Sequence, residues 1–245
     1  MSEREEPVAP PRTLSIAGGL VPKVERLIAK SSVHGDPAFY DPTLFEWTAK
    51  LESAHPAIRA ELDALLLSRQ PIPGFEEISH DQTKLTDDKR WQTYFLLGYG
   101  VPFEDNITAC PQTWAALQYV PGLVTAFFSI LAPGKSIPLH RGPYKGVLRY
   151  HLGMKVPPRG DIDITVGNET RGWEDGKSLV FDDTYLHKAR NLSGEERVVL
   201  FVDFERPLRA PLSWINRGVL KLIARSGFVQ EAKSNYEEWR RANTA

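Results

Sequence analysis

The sequence predicts a mainly β fold, a small barrel with flanking helices, and three observations carry that prediction. Short segments of alternating side chains are closed off by turn residues; Pro121-Gly122 and Pro133-Gly134 bracket the apolar stretch from Leu123 to Leu131. Apolar residues at helical spacing collect mainly towards the two ends of the chain. His140 and His187 lie several dozen residues apart, as expected of two groups that meet across a small barrel from different strands.

The 245 residues suffice for one sizeable core with a helical annex. A composition of 42% hydrophobic and 25% charged residues with a formal net charge of -1 is that of an ordinary soluble domain, with no electrostatic call for nucleic acid. The single cysteine, Cys110, rules out an internal disulfide and suits a reducing compartment, so a soluble, cytoplasmic protein is expected. No stretch approaches the roughly eighteen apolar residues of a membrane span.

In chain order, Met1 to Arg12 carries Glu3, Glu5, Glu6, Pro10 and Pro11, lacks the apolar centre of a signal peptide, and reads as a mobile lead-in. Residues 13–90 read as a helical annex packed on the barrel. Leu20, Val24, Leu27 and Ile28 mark one helix, and Ile58, Leu62, Leu65 and Leu66 mark another from Pro56 to Ser68, with Tyr40-Asp41-Pro42 as a helix entry between them. Residues 91–207 form the expected barrel core. Trp91 to Leu97 is its first strand, and Pro111 to Val120 is a short helix over a buried, unreactive Cys110.

Along Leu123 to Leu131, Thr125, Phe127, Ser129 and Leu131 share a face, so Ser129 offers a hydroxyl to the interior if that face lines the barrel. Val147, Arg149 and His151 share a face of the strand from Gly146 to Met154. A guanidinium turned into an apolar barrel demands an acidic partner, either a ligand or a buried Asp or Glu. Asp161 to Val166 reads as an edge-like strand and Asn168 to Gly172 as a turn. Ser178 to Phe181 is a strand, Asp182-Asp183 precede His187, and Arg197 opens the apolar strand from Val198 to Phe204. Residues 208–245 return to helix, with Ile215, Val219, Leu222 and Ile223 on one side and Arg217, Lys221 and Arg225 on another. That basic stripe is either a solvated face or a peripheral membrane contact.

His140 and His187 are the metal candidates. Fe(II) accepts neutral imidazole, and an oxygenase must leave neighbouring positions open for a chelating cosubstrate and dioxygen. The usual facial triad places Asp or Glu two residues after the first histidine, where this chain has Gly142. The residues therefore describe a two-histidine site or no metal site. A short carboxylate beside a ligand histidine commonly orients its ring, which makes Asp182 and Asp183 candidates for that role or for direct ligation. His34, His55 and His80 have no ligand-like spacing and read as surface residues.

The run Phe128 to Gly134, then His140-Arg141-Gly142-Pro143-Tyr144, Leu148 to Gly153, Trp173 to Lys177, Phe181 to Thr184, His187, Asn191 and Arg197 to Pro207 resembles the aspartyl/asparaginyl β-hydroxylase family. The resemblance implies a double-stranded β-helix, a jelly-roll of cupin type, and an enzyme dependent on Fe(II) and 2-oxoglutarate. It implies iron on His140 and His187 with glycine in place of the acidic ligand. It also implies that Arg197 and Ser129 grip the far carboxylate of 2-oxoglutarate, with Arg149 and His151 near its metal-binding end. Oxidative decarboxylation with molecular oxygen would yield succinate, carbon dioxide and a hydroxylated substrate.

Family enzymes acting on aspartyl residues present basic side chains two positions before the serine and two before the arginine, where this chain has Phe127 and Val147. Stretches such as Leu148 to Gly153 and Leu200 to Arg209 are closer to the bacterial lipid A acyl hydroxylase branch, which usually has Asp at the position of Gly142. The substrate class therefore spans a small molecule, a peptide and an acyl chain. Two alternatives remain: an Fe/2-oxoglutarate halogenase with chloride in the position that Gly142 vacates, and a ligand-binding barrel without iron.

Overall fold

The computed structural model describes residues 21–243. The expected lead-in and Leu20 lie outside those residues. Helix α1 (Val21–Ser31) buries Ile28 but leaves Val24 and Leu27 exposed. A two-residue strand β1 (Phe39–Tyr40) follows. The helix entry at Asp41 is a single tight turn, in which the Asp41 carboxylate accepts the Thr43 backbone N–H at 2.9 Å and Pro42 takes the first position.

Helix α2 (Trp47–Leu67) begins well before the expected Pro56 and carries that proline in its interior. An interior proline costs a helix about 3 kcal/mol. Here the opening turns bury Trp47 and Leu51, and Trp47 packs on Tyr150 and Phe204 with ring centroids 4.9 and 5.0 Å apart. Burying such side chains stabilises by about 1.5–3 kcal/mol each, which exceeds the cost of the proline. After the short helix α3 (Phe75–Ile78), the strands begin with β2 (Trp91–Gly98) and β3 (Val101–Pro102). Helices α4 (Glu104–Ala109) and α5 (Pro111–Leu117) meet at Cys110, which is buried as expected.

The remaining strands are β4 (Leu123–Leu131), β5 (Lys135–His140), β6 (Val147–Lys155), β7 (Ile162–Val166), β8 (Glu169–Gly172), β9 (Ser178–Phe181), β10 (His187–Asn191) and β11 (Arg197–Glu205). They form a seven-stranded sheet in the order β1-β9-β6-β11-β4-β2-β3 and a four-stranded sheet in the order β5-β10-β7-β8. Every pairing between these strands is antiparallel. The expected mainly β barrel of jelly-roll type with flanking helices is the observed architecture. Two local expectations are corrected: β7 is an interior strand, and the edge is β8, built from residues expected to form a turn. Glu169, Thr170 and Arg171 are too polar to signal a strand, and β8 is held by backbone pairing to β7.

The alternation of β4, β6 and β11 divides two cores. Phe128, Tyr150, Leu152, Leu200 and Val202 face outward onto α2. Phe127, Leu131, Val199, Phe201 and Phe181 face inward, against Ile137, Ile164, Val166 and Ala189 of the smaller sheet. Polar residues on that inner face are therefore sealed between two sheets. The chain closes with α6 (Leu212–Ala224) and α7 (Gly227–Asn243).

Candidate active site

His140 ends β5, His187 begins β10, and antiparallel pairing makes them direct cross-strand partners with ring centroids 4.1 Å apart. Each Nδ1 sits against a backbone carbonyl, Pro138 O at 2.8 Å for His140 and Tyr185 O at 3.0 Å for His187. Donation from Nδ1 leaves the Nε2 lone pair of each ring for a metal. Burial holds His140 down at about 4 and His187 well below the ordinary histidine value, so both are neutral, as ligation requires. The expectation that a carboxylate orients His187 is corrected, because the Tyr185 carbonyl does so. Asp182 is instead bound by Arg206, Lys145 and Thr184.

The space beside Gly142 is filled. A Cβ there would fall 1.9 Å from Asp183 Oδ2, and the Gly142 N–H donates to the Asp183 carbonyl at 2.7 Å. Asp183 is buried, and burial pushes its carboxyl up to about 7 against the pull of Arg149. Arg149 Nη2 lies 2.8 Å from Asp183 Oδ2, yet both Asp183 oxygens lack an aligned hydrogen-bond donor. Close charge contact with poor alignment gives an ion pair without a formed hydrogen bond.

The acidic partner that Arg149 demanded is supplied mostly by Asp203, directly across the β6–β11 ladder. Arg149 Nε donates to Asp203 Oδ1 at 2.8 Å and Nη2 to Oδ2 at 3.2 Å, while its guanidinium lies 4.2 Å above the Phe201 ring. Asp203 was missed in the sequence. Its signal was a lone carboxylate inside an apolar strand, but the register that sets it opposite Arg149 is tertiary.

Among the described residues Arg197 has no such partner. It is 2% exposed, stacks 4.5 Å over Trp173, and reaches only the Ser129 carbonyl, at 3.4 Å. Its Nε is buried without an acceptor, and burial lowers its pKa to about 9. Nearby, Ser129 Oγ accepts from Trp91 Nε1 at 3.0 Å. His151 Nδ1 accepts from Trp173 Nε1 at 3.2 Å, which leaves its Nε2 enclosed and unpaired. An uncompensated buried cation costs several kcal/mol. The guanidinium, the serine hydroxyl and the orphan imidazole nitrogen are polar groups whose unmet hydrogen bonds a small carboxylate would satisfy. No group of three or more His, Cys, Asp or Glu side chains among the described residues is arranged to hold a metal.

A cavity of about 560 Å³ opens from His140, Gly142, Arg149 and Asp183. Phe95, Phe127 and Phe201 wall it on the barrel side, and Leu222, Ile223 and Val229 close it from α6 and α7. Phe127 and Phe201 stack with centroids 4.1 Å apart, and Val147 is buried. Of the remaining histidines, His80 is exposed and His34 packs edge-on against Phe45. His55 departs from the expected surface role: it is half-buried, with Nε2 enclosed.

The family model described as aspartyl/asparaginyl beta-hydroxylase matches residues 52–207. An ornithine lipid ester-linked acyl 2-hydroxylase from Rhizobium tropici is 48% identical over 221 residues, covering 90% of this chain and 79% of that protein. The human aspartyl/asparaginyl beta-hydroxylase is 30% identical over 136 residues, 54% of this chain and 18% of that one. Among solved structures, a cupin 2 conserved barrel domain protein from Salinispora arenicola aligns with a TM-score of 0.33 at 13% identity, over 56% of this chain and 92% of its own. No helix among the described residues is long and apolar enough to cross a membrane.

Proposed function

The chain belongs to the aspartyl/asparaginyl β-hydroxylase family, and on that premise we propose that it is an Fe(II)- and 2-oxoglutarate-dependent hydroxylase acting on an acyl chain of a lipid. The observation that carries the substrate class is the cavity lined by His140, whose walls are predominantly aromatic and aliphatic. An acyl chain gains about 0.8 kcal/mol for each methylene it buries there, whereas an aspartyl side chain would find Phe127 and Val147 where a basic partner is wanted. The lipid acyl hydroxylase at 48% identity, matched over 79% of its length, supports the same choice.

In this reading His140 and His187 would hold the iron through Nε2, and Arg197 with Ser129 would hold the far carboxylate of 2-oxoglutarate. Bound together, iron and cosubstrate supply the oxidising power that places an oxygen atom from dioxygen on an unactivated C–H bond. The protein positions and shields. Arg197 offers a charge that no carboxylate among the described residues neutralises, so a carboxylate ligand would gain a desolvated, charge-assisted bond. Trp91 fixes the Ser129 hydroxyl, and Trp173 fixes His151 with Nε2 free for a ligand oxygen. Asp203 holds the Arg149 guanidinium flat on Phe201, which sets Asp183 beside Gly142. The aromatic walls keep water from the reacting carbon. Hydroxylation is favoured over halogenation because chloride beside Gly142 would meet the Asp183 carboxyl.

The test is succinate formation from 2-oxoglutarate by anaerobically Fe(II)-loaded protein on exposure to air, beside a His187→Ala control. A lipid substrate is then added and its product examined by mass. Succinate that vanishes in the variant, with gain of one oxygen on an acyl chain, is expected. Failure to bind Fe(II) or 2-oxoglutarate overturns the oxygenase reading, and oxygen gained only on non-lipid substrates overturns the substrate class.

A further inference from the structure

Helix α6 is oriented against the usual logic of a surface helix. The residue that it buries is Asn216, 2% exposed and bonded to Tyr144 Oη and Gly146 O, while Trp214, Ile215 and Leu222 stand 68%, 57% and 69% exposed. Apolar exposure on that scale marks a surface meant to be covered. From Leu212 to Arg225 the sequence contains no carboxylate, and the exposed Lys221 and Arg225 form no ion pair among the described residues. Helix α1 repeats the pattern. Val24 and Leu27 are exposed beside Lys23, Arg26 and Lys30, and its one carboxylate, Glu25, is engaged by Arg141 at 2.7 Å.

The two helices stand at one rim. The Arg209 N–H donates to Ser31 O at 2.9 Å and Arg209 Nη1 to Ser32 O at 3.0 Å, tying the end of α1 to the chain just before α6. Arg141 lines the cavity and binds α1, and Leu222 and Ile223 of α6 line the same cavity. Leu222 thus joins the exposed apolar surface of α6 to the cavity wall, and apart from Glu25 the charges on both helices are basic. Trp beside Lys and Arg on an amphipathic helix suits the interface of a bilayer, where the ring sits at headgroup depth and the cations meet anionic lipid.

We propose that α1 and α6 form a docking face for an anionic phospholipid surface, placed so that an acyl chain passes from the bilayer into the cavity. The purpose of the face rests on the acyl-hydroxylase reading; its existence does not. The test uses the full chain with vesicles of phosphatidylcholine alone and with about one third phosphatidylglycerol, read by co-sedimentation. Trp214→Glu, Leu27→Glu and the pair Lys221→Glu with Arg225→Glu are compared with the unaltered protein. Binding to the anionic vesicles is expected, weakened by added salt and reduced about tenfold or more in each variant. Turnover of lipid presented in vesicles should fall in step, while turnover of detergent-dispersed lipid is retained. Absence of binding to either vesicle, or binding that the variants leave unchanged, overturns the proposal. So does a dimer in sedimentation velocity that Trp214→Glu dissociates, because a second copy would then cover the face. Vesicle binding without any acyl product would sustain the docking face and sink the hydroxylase reading alone.

Discussion

Gly142 and Asp183 share one space: a methyl group on the first would lie 1.9 Å from Oδ2 of the second. Position 142 is glycine where a facial triad would place an acidic residue, and the space beside it is already occupied. A carboxylate from the loop before β10 occupies it, anchored by the Gly142 N–H to its own carbonyl and by Arg149 to its side chain.

Gly142→Ala should therefore destabilise by about 1–3 kcal/mol, the usual cost of overpacking a closed site. Asp183→Ala in the same chain should recover part of that loss, because it removes the atoms in conflict. Denaturant unfolding of the two single variants and the double variant gives the coupling directly. Additive effects would mean that the two side chains do not compete for the space.

Arg197 carries the second prediction. A buried guanidinium with no carboxylate partner among the described residues is a stability cost that a carboxylate ligand would offset. Arg197→Met should leave the ligand-free melting temperature unchanged or raise it, while abolishing the stabilisation that 2-oxoglutarate gives the anaerobic Fe(II) form. A ligand at one hundred times its dissociation constant stabilises by about 2.7 kcal/mol, well within reach of a melting measurement. A variant that melts early yet still responds fully to 2-oxoglutarate would make Arg197 a structural residue.

Much of this arrangement was legible before any coordinates. Thr125, Phe127, Ser129 and Leu131, and likewise Val147, Arg149 and His151, share faces because strand side chains alternate, and both sets turn out to line the interior. What the chain could not reveal depends on register and packing. Asp203 is separated from Arg149 by more than fifty residues, and only the β6–β11 pairing makes them partners. The early start of α2 was hidden by Pro56, whose local preference is overridden by the burial of Trp47 and Leu51. Strand β8 was hidden because polar residues held by backbone pairing leave no hydrophobic pattern.

Cavity shape should set the acyl length accepted. Ile223 lines the cavity from α6 and is only half-buried, so Ile223→Trp narrows the space without crowding the barrel core. Long-chain substrates should lose about tenfold in kcat/KM relative to short ones, with folding stability nearly unchanged. An unaltered chain-length profile would place the acyl chain elsewhere.

The last prediction concerns acid. Asp182 is fully buried; burial alone would raise its pKa, but Arg206 and Lys145 outweigh burial and hold it below the ordinary 3.8. Lys145 Nζ lies 2.8 Å from Asp182 Oδ2, Arg206 reaches the same oxygen, and the Thr184 N–H donates to Oδ1 at 2.9 Å. A carboxylate depressed in the folded state contributes stability that is fully present above its unfolded pKa, and that stability is lost as pH falls through 3.8 towards the folded value. Asp182→Asn should cost up to about 3 kcal/mol at neutral pH, the low end for breaking a buried pair, because Lys145 and Arg206 lose their shared buried carboxylate but both keep Asp36. The gap from the unaltered protein should narrow as pH drops below 3.8, where Asp182 of the unfolded chain takes up a proton before the folded chain does. Because Asp182 and Asp183 open the segment that delivers His187, the same variant should also weaken Fe(II) binding at neutral pH, measured anaerobically by titration. An unfolding gap that stays constant from neutral to acid pH would show that Asp182 contributes through packing and not through its charge.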